Sequence, residues 1–149
     1  MKKQKRPAAV REALEEVRAV YRELENRPVE RACLRRTECC QFKLTGKTPY
    51  LTKGEAVLAA DAFRATGRKE FLPREDGACP MLHLETGRCL IYEARPFGCR
   101  THFCAAAGGP YARADVLDLI RRLERADAAL GGDGGRPLPR ALESVLGRI

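Results

Sequence analysis

Seven cysteines, Cys33, Cys39, Cys40, Cys79, Cys89, Cys99 and Cys104, fall within one central segment of a 149-residue chain, and residues 1 to 32 and 105 to 149 contain none. An odd number cannot pair completely into disulfides, and cysteines that merely filled space would have no cause to avoid the flanking segments. The distribution points to metal ligation or thiol chemistry. The start Met-Lys-Lys-Gln-Lys-Arg is not followed by the apolar stretch of a secretory signal, and the longest apolar runs are too short to span a bilayer. The expectation is a cytoplasmic protein with no membrane partner, in a compartment that keeps thiols reduced.

The apolar material available to hold this segment is thin. Of the 44% hydrophobic residues, 21 are Ala and 7 are Cys, and there is no Trp. The length fits a single domain, 1–149, opening with a basic tail, 1–6. Beyond it, Val10, Leu14, Val17, Tyr21 and Leu24 recur at spacings of four and three after Pro7, which predicts a covering helix over 8–26, closed before Pro28. Thr52-Lys53-Gly54-Glu55 reads as a capping box opening a second helix with Ala56, Ala59, Ala60 and Phe63 on one face and Gly67 at its end. Met81-Leu82-His83-Leu84 and Cys89-Leu90-Ile91-Tyr92 flank Glu85-Thr86-Gly87-Arg88, which predicts a β-hairpin over 79–92. Residues 111–149 form a helical C-terminal part. Its first helix runs over 111–130 with Val116, Leu119, Ile120, Leu123 and Leu130 inward, and its last over 139–149 with Leu142, Val145, Leu146 and Ile149 inward. Between them, Gly131-Gly132-Asp133-Gly134-Gly135 follows a helix and lacks a Lys-Ser/Thr continuation, so it reads as a loop and not a phosphate cradle.

The cysteine spacings are C-x5-C-C and then, after 38 intervening residues, C-x9-C-x9-C-x4-C, with no C-x2-C pair. The usual zinc-knuckle spacings are therefore absent, yet the geometry still constrains a site. In an extended segment neighbouring side chains point to opposite sides, so Cys39 and Cys40 either divide between a site and the interior or both serve a multinuclear centre. Cys79 and Cys89 begin the two hairpin strands and meet only if the chain before the first strand folds back. Soft thiolates hold zinc or iron–sulfur iron tightly, and gathering distant sulfurs would clasp together segments that a thin core leaves loose. His102, between Cys99 and Cys104, is within sequence reach of such a site, whereas His83 belongs to the first hairpin strand. Arg31, Arg35, Arg36, Arg88, Arg95 and Arg100 interleave with the cysteines, either as solvated surface or as donors that offset thiolate charge. Tyr92 and Arg95 suit either substrate orientation or a buried phenol beside a paired guanidinium.

Cys33-Leu34-Arg35-Arg36-Thr37-Glu38-Cys39-Cys40 resembles the C-x-x-C-x-x-C-C signature of the YkgJ-like cysteine-cluster family, whose members are taken to chelate zinc or iron. The run from Cys79-Pro80 through Cys89-Leu90-Ile91-Tyr92-Glu93-Ala94-Arg95-Pro96-Phe97-Gly98-Cys99-Arg100 is similar to the family's second block. The resemblance covers residues 31 to 104, a cysteine-cluster metal-binding segment, and implies metal chelation with no settled activity. Arg36 stands where the signature has its second cysteine, so the set carried over is Cys33, Cys39, Cys40, Cys79, Cys89 and Cys99, and Cys104 rests on local spacing. Seven thiolates cannot fill two unshared four-cysteine sites, which favours one centre.

These readings combine into an expected α+β fold, mainly helical: an irregular cysteine-rich metal-binding centre with one β-hairpin, covered by N- and C-terminal helices. The expected function is a metal-binding protein that chelates zinc or iron, an iron–sulfur cluster included, through clustered thiolates. An enzymatic rival is a redox or transferase protein using an iron–sulfur centre, although no catalytic constellation is identified. A third reading is a metal-organised nucleic-acid-binding module. The net charge of +8 favours it. The 21 Arg against 7 Lys in an Ala-Gly-Arg-rich chain, a bias that genomic base composition alone can produce, argues against it. The metal ion or cluster is the expected partner; no protein partner is specified.

Overall fold

The computed structural model describes residues 6–26, 49–68, 79–81, 83, 89–101 and 113–146. Its elements in chain order are α1 (Ala8–Asn26), β1 (Tyr50–Leu51), α2 (Lys53–Ala65), a 3₁₀ turn (Tyr92–Ala94), α3 (Phe97–Thr101), α4 (Arg113–Ala129), β2 (Arg136–Pro137) and α5 (Leu138–Leu146). The fold is mainly helical with one small antiparallel β pair, and helices from both ends flank it. Among the described residues no helix is long and apolar enough to cross a membrane.

The expected covering helix forms over Ala8–Asn26, and its period-3.6 stripe of Leu14, Val17, Tyr21 and Leu24 is buried. This stripe packs against Val116, Leu119, Leu123 and Ala126 of α4, with Leu58 and Phe97 completing one core cluster. Each fully buried Leu or Val here contributes about 1.5–3 kcal/mol through water exclusion. A second cluster joins Ala56, Ala59 and Phe63 of α2 to Leu138, Ala141 and Leu142 of α5, with Leu51, Cys79, Met81 and Ile91. Helix α2 therefore has both faces buried, which explains its small residues. A Cβ on Gly54 would sit 2.7 Å from Val17 Cγ2, so any larger residue there would push α1 away.

The β pair is a long-range one. Tyr50 faces Pro137 and Leu51 faces Arg136, antiparallel, and the Leu138 amide donates to the Pro49 carbonyl at 2.9 Å. It places the start of α2 beside the start of α5, and sequence periodicity carries no sign of it because each strand has two residues. The strands of the hairpin expected over 79–92 do not form among the described residues: 79–81 and 90–91 are turn or irregular, Cys89 is a single bridge residue and Tyr92 opens the 3₁₀ turn. The Leu90 amide nevertheless donates to the Met81 carbonyl at 2.8 Å; residues 82 and 84–88 lie outside those described.

Helix α4 ends in a Schellman motif: the Gly131 amide donates to the Ala128 carbonyl at 3.0 Å and the Gly132 amide to the Asp127 carbonyl at 2.8 Å. Gly131, at φ +75°, takes the left-handed position this motif requires. Asp127, itself buried, then accepts the Gly134 amide at 2.9 Å and the Lys53 amide at 2.7 Å. One carboxylate thus anchors both the glycine loop and the first turn of α2. A Cβ on Gly132 would fall 2.2 Å from that carboxylate, so the loop depends on glycine there for closeness and not for φ.

Candidate metal centre

Of the residues proposed from sequence, Cys79, Cys89 and Cys99 are described, whereas Cys33, Cys39, Cys40, Cys104 and His102 lie outside the described residues, as do Arg31, Arg35, Arg36 and Arg88. Cys79 is buried within the α2–α5 cluster, and half-buried Cys89 and Cys99 pack against the same cluster. Three cysteines that are ten residues apart in sequence thus belong to or pack against the same core cluster. None of the three is held in a disulfide. Among the described residues no group of three or more His, Cys, Asp or Glu side chains is arranged to hold a metal ion. The donor chemistry suits soft metals all the same, since thiols at a half-buried surface are the ligands that zinc and iron–sulfur centres take.

Cys99 is placed by a chain of local constraints. Pro96 is buried and its carbonyl accepts the Cys99 amide at 3.0 Å and the Arg100 amide at 3.1 Å, which starts α3. The Phe97 amide donates to Glu55 Oε1 at 2.7 Å. Phe97 belongs to the α1–α4 cluster while Cys99 packs on the other, so this one short helix ties the two halves of the core together.

Its spacing from Thr52 makes Glu55 half of a capping box. The box forms, with Glu55 Oε2 accepting the Thr52 amide at 2.8 Å and the Thr52 hydroxyl at 3.0 Å. Its further role was not legible, because a capping glutamate normally faces solvent and this one is 2% exposed. Its carboxyl joins the N-termini of α2 and α3. Burial pushes the Glu55 pKa up from its ordinary 4.5, against the opposing pull of the Thr52 and Phe97 amides.

Of the six interleaved arginines, Arg95 and Arg100 are described, and Arg100 is buried and held by hydrogen bonds. Its side chain is only 6% exposed; Nε donates to the Arg95 carbonyl at 2.6 Å, Nη2 to the Glu93 carbonyl at 2.7 Å and Nη1 to Glu25 Oε1 at 2.7 Å. The guanidinium also stacks over the Tyr21 ring, 4.2 Å from its centroid. The Tyr21 hydroxyl is buried beside the Glu55 carboxyl, with Arg100 and Cys99 nearby; burial first and the Glu55 charge second raise its pKa well above 10.0. Arg95 instead lies on Tyr92, 4.0 Å above the ring, with Nε donating to the Tyr92 carbonyl at 2.9 Å. That contact accounts for both residues as a stacked pair.

Glu55→Gln is expected to destabilise the protein by about 1–3 kcal/mol, because the amide NH₂ must face N–H or O–H donors on one side. The pH dependence has a defined sign. A carboxyl whose folded pKa is raised holds its proton more tightly in the folded state, so its contribution is greatest below 4.5 and declines as pH rises through the folded pKa. Urea titrations across this range should show the wild-type protein losing stability with rising pH relative to Glu55→Gln. Parallel curves would remove the buried carboxyl from this account.

The fold and its thiols define a class: a mainly helical protein whose central segment brings reduced cysteines onto one core cluster between N- and C-terminal helices. The chain belongs to the CxxCxxCC family, described as "Putative zinc- or iron-chelating domain", whose model matches residues 31–117, more than half of the sequence. That range includes all seven cysteines. No curated protein and no solved structure matches the chain.

Proposed function

We propose that the protein chelates one metal centre, a zinc ion or iron in the form of an iron–sulfur cluster, through thiolates drawn from Cys33, Cys39, Cys40, Cys79, Cys89, Cys99 and Cys104. The observation that carries this reading is the family match over 31–117, with Cys79 inside and Cys89 and Cys99 packed against one core cluster as support. Zinc would serve as a clasp, drawing the 31–40 segment onto the α2–α5 core; an iron–sulfur cluster would do the same and add electron transfer.

The test is purification under anaerobic conditions followed by elemental analysis and a visible spectrum. Brown protein with iron and sulfide supports the cluster. Colourless protein with one zinc per chain supports the clasp. Folded protein with seven titratable thiols and no bound element would overturn chelation in both forms.

A further inference from the structure

Helix α1 lies wholly outside the 31–117 family match, and one of its side chains is more than a core filler. Its buried residues are Ala13, Leu14, Val17, Val20, Tyr21 and Leu24, of which Tyr21 alone carries a polar group. Burying a hydroxyl costs free energy that Phe or Leu at this position would avoid. Tyr21 belongs to the α1–α4 cluster, yet its polar surroundings come from other elements. The hydroxyl lies beside the Glu55 carboxyl of α2, and the ring carries the Arg100 guanidinium of α3 on its face, 4.2 Å from the centroid. A charged Cys99 sulfur opposes ionisation of the phenol, so thiol and phenol lie within electrostatic range of each other.

These contacts converge on α3, which has only five residues. Phe97 shares the core cluster of Tyr21, and its amide is held by Glu55 Oε1, of the carboxyl beside the phenol. Arg100 lies on the Tyr21 ring and is fixed further by Glu25 of α1 and by the Glu93 and Arg95 carbonyls. Cys99 stands between these two held residues, so one side chain of α1 bears on both sides of it. A helix this short is not stable by its own hydrogen bonds, and its tertiary contacts decide where Cys99 points. A zinc–sulfur bond is about 2.3 Å long, so a small rotation of α3 would carry the thiolate off the metal.

We propose that Tyr21 is a positioning residue of the metal centre, so that α1 completes the site by fixing the helix that presents Cys99. The inference rests on the chelation reading, with Cys99 as one of its ligands. The probe is zinc added to the metal-free full-length chain at neutral pH, its affinity read by competition with a chromophoric chelator. Tyr21→Leu should weaken zinc at least about tenfold, the lower end of what the outer residues of metal sites contribute. Tyr21→Phe keeps the ring under Arg100 and loses only the hydroxyl, so it should fall between Tyr21→Leu and wild type. Leu14→Ala cuts the same core cluster two turns earlier on α1 and should lower the urea midpoint while leaving zinc affinity within about twofold. With cobalt(II) in place of zinc, the sulfur-to-metal charge-transfer band should fall in Tyr21→Leu and hold in Leu14→Ala. If Tyr21→Leu loses its helices in circular dichroism, the wild type decides: zinc should shift the Tyr21 ring and Arg100 Nε–H signals and leave the Leu14 methyls in place. A wild-type chain that takes up neither zinc nor iron would overturn the chelation reading and this inference with it. Metal bound normally by wild type, with affinity unchanged in Tyr21→Leu, equally reduced in Leu14→Ala, or no better in Tyr21→Phe than in Tyr21→Leu, would overturn the positioning role alone, as would Tyr21 and Arg100 signals that zinc does not move.

Discussion

Cys99→Ser is expected to release the bound element and to lower stability far more than the loss of one half-buried thiol would. A serine hydroxyl is a hard, protonated oxygen at neutral pH, and it does not replace a soft thiolate on zinc or iron–sulfur iron. Cys99 is also the candidate ligand with the firmest setting: Pro96 starts its helix, Glu55 holds the helix's first amide, and the side chain packs on the α2–α5 cluster. Structural zinc in small domains supplies on the order of 10 kcal/mol at neutral pH, comparable with the whole stability of a typical domain, about 5–15 kcal/mol. A partial loss of that contribution suffices to unfold a chain with a thin core. Without a metal, the same substitution would cost about 0.5–3 kcal/mol, the ordinary range for a point change. The two cases separate when metal content and urea midpoint are measured on the same sample of Cys99→Ser and of Cys89→Ser. Unchanged metal content in either variant would strike that residue from the ligand set.

The elements that the sequence announces are those whose evidence is local or periodic. The stripe of α1, the Thr52–Glu55 box and the inward positions of α4 and α5 each follow from spacing, and the helices appear within a few residues of where periodicity puts them. What spacing does not carry is partnership at long range. Tyr50–Leu51 pairs with Arg136–Pro137 across most of the chain, and Asp127 reaches back to the Lys53 amide; no window of sequence contains both members of either pair. The same limit applies at the candidate site. Cys79, Cys89 and Cys99 announce their chemistry by type, but that they share a core cluster is a property of the packing. Arg100 is one of six interleaved arginines in sequence and differs from a surface arginine only in its surroundings, which place Tyr21 and Glu25, both from α1, against it.

Those surroundings make Arg100 the other position of large expected effect. Arg100→Met keeps most of the stem's packing and removes the charge with all three hydrogen bonds. The ion pair itself contributes little to the loss, because the Glu25 side chain is 64% exposed and recovers its hydration once the guanidinium has gone. The cost arises at the Arg95 and Glu93 carbonyls, each of which accepts from a charged donor at 2.7 Å or less, a bond that typically contributes about 1.5–3 kcal/mol. Water can reach part of this turn and replace part of the loss, so a net destabilisation of about 2–4 kcal/mol is expected. Glu25→Gln, by contrast, should cost less than about 1 kcal/mol. Arg100→Lys should recover only a minor share, since a single ammonium on a flexible stem cannot point at Arg95, Glu93 and Glu25 together while lying flat on the Tyr21 ring. The ordering of the three variants in urea denaturation, Met worst, Lys close behind and Glu25→Gln near wild type, is the diagnostic result. It assigns the fixing of the 93–95 turn, and with it the direction from which Cys99 enters α3, to the planar guanidinium. If Glu25→Gln instead matched Arg100→Met, the exposed ion pair would be the dominant contact and this assignment would be wrong.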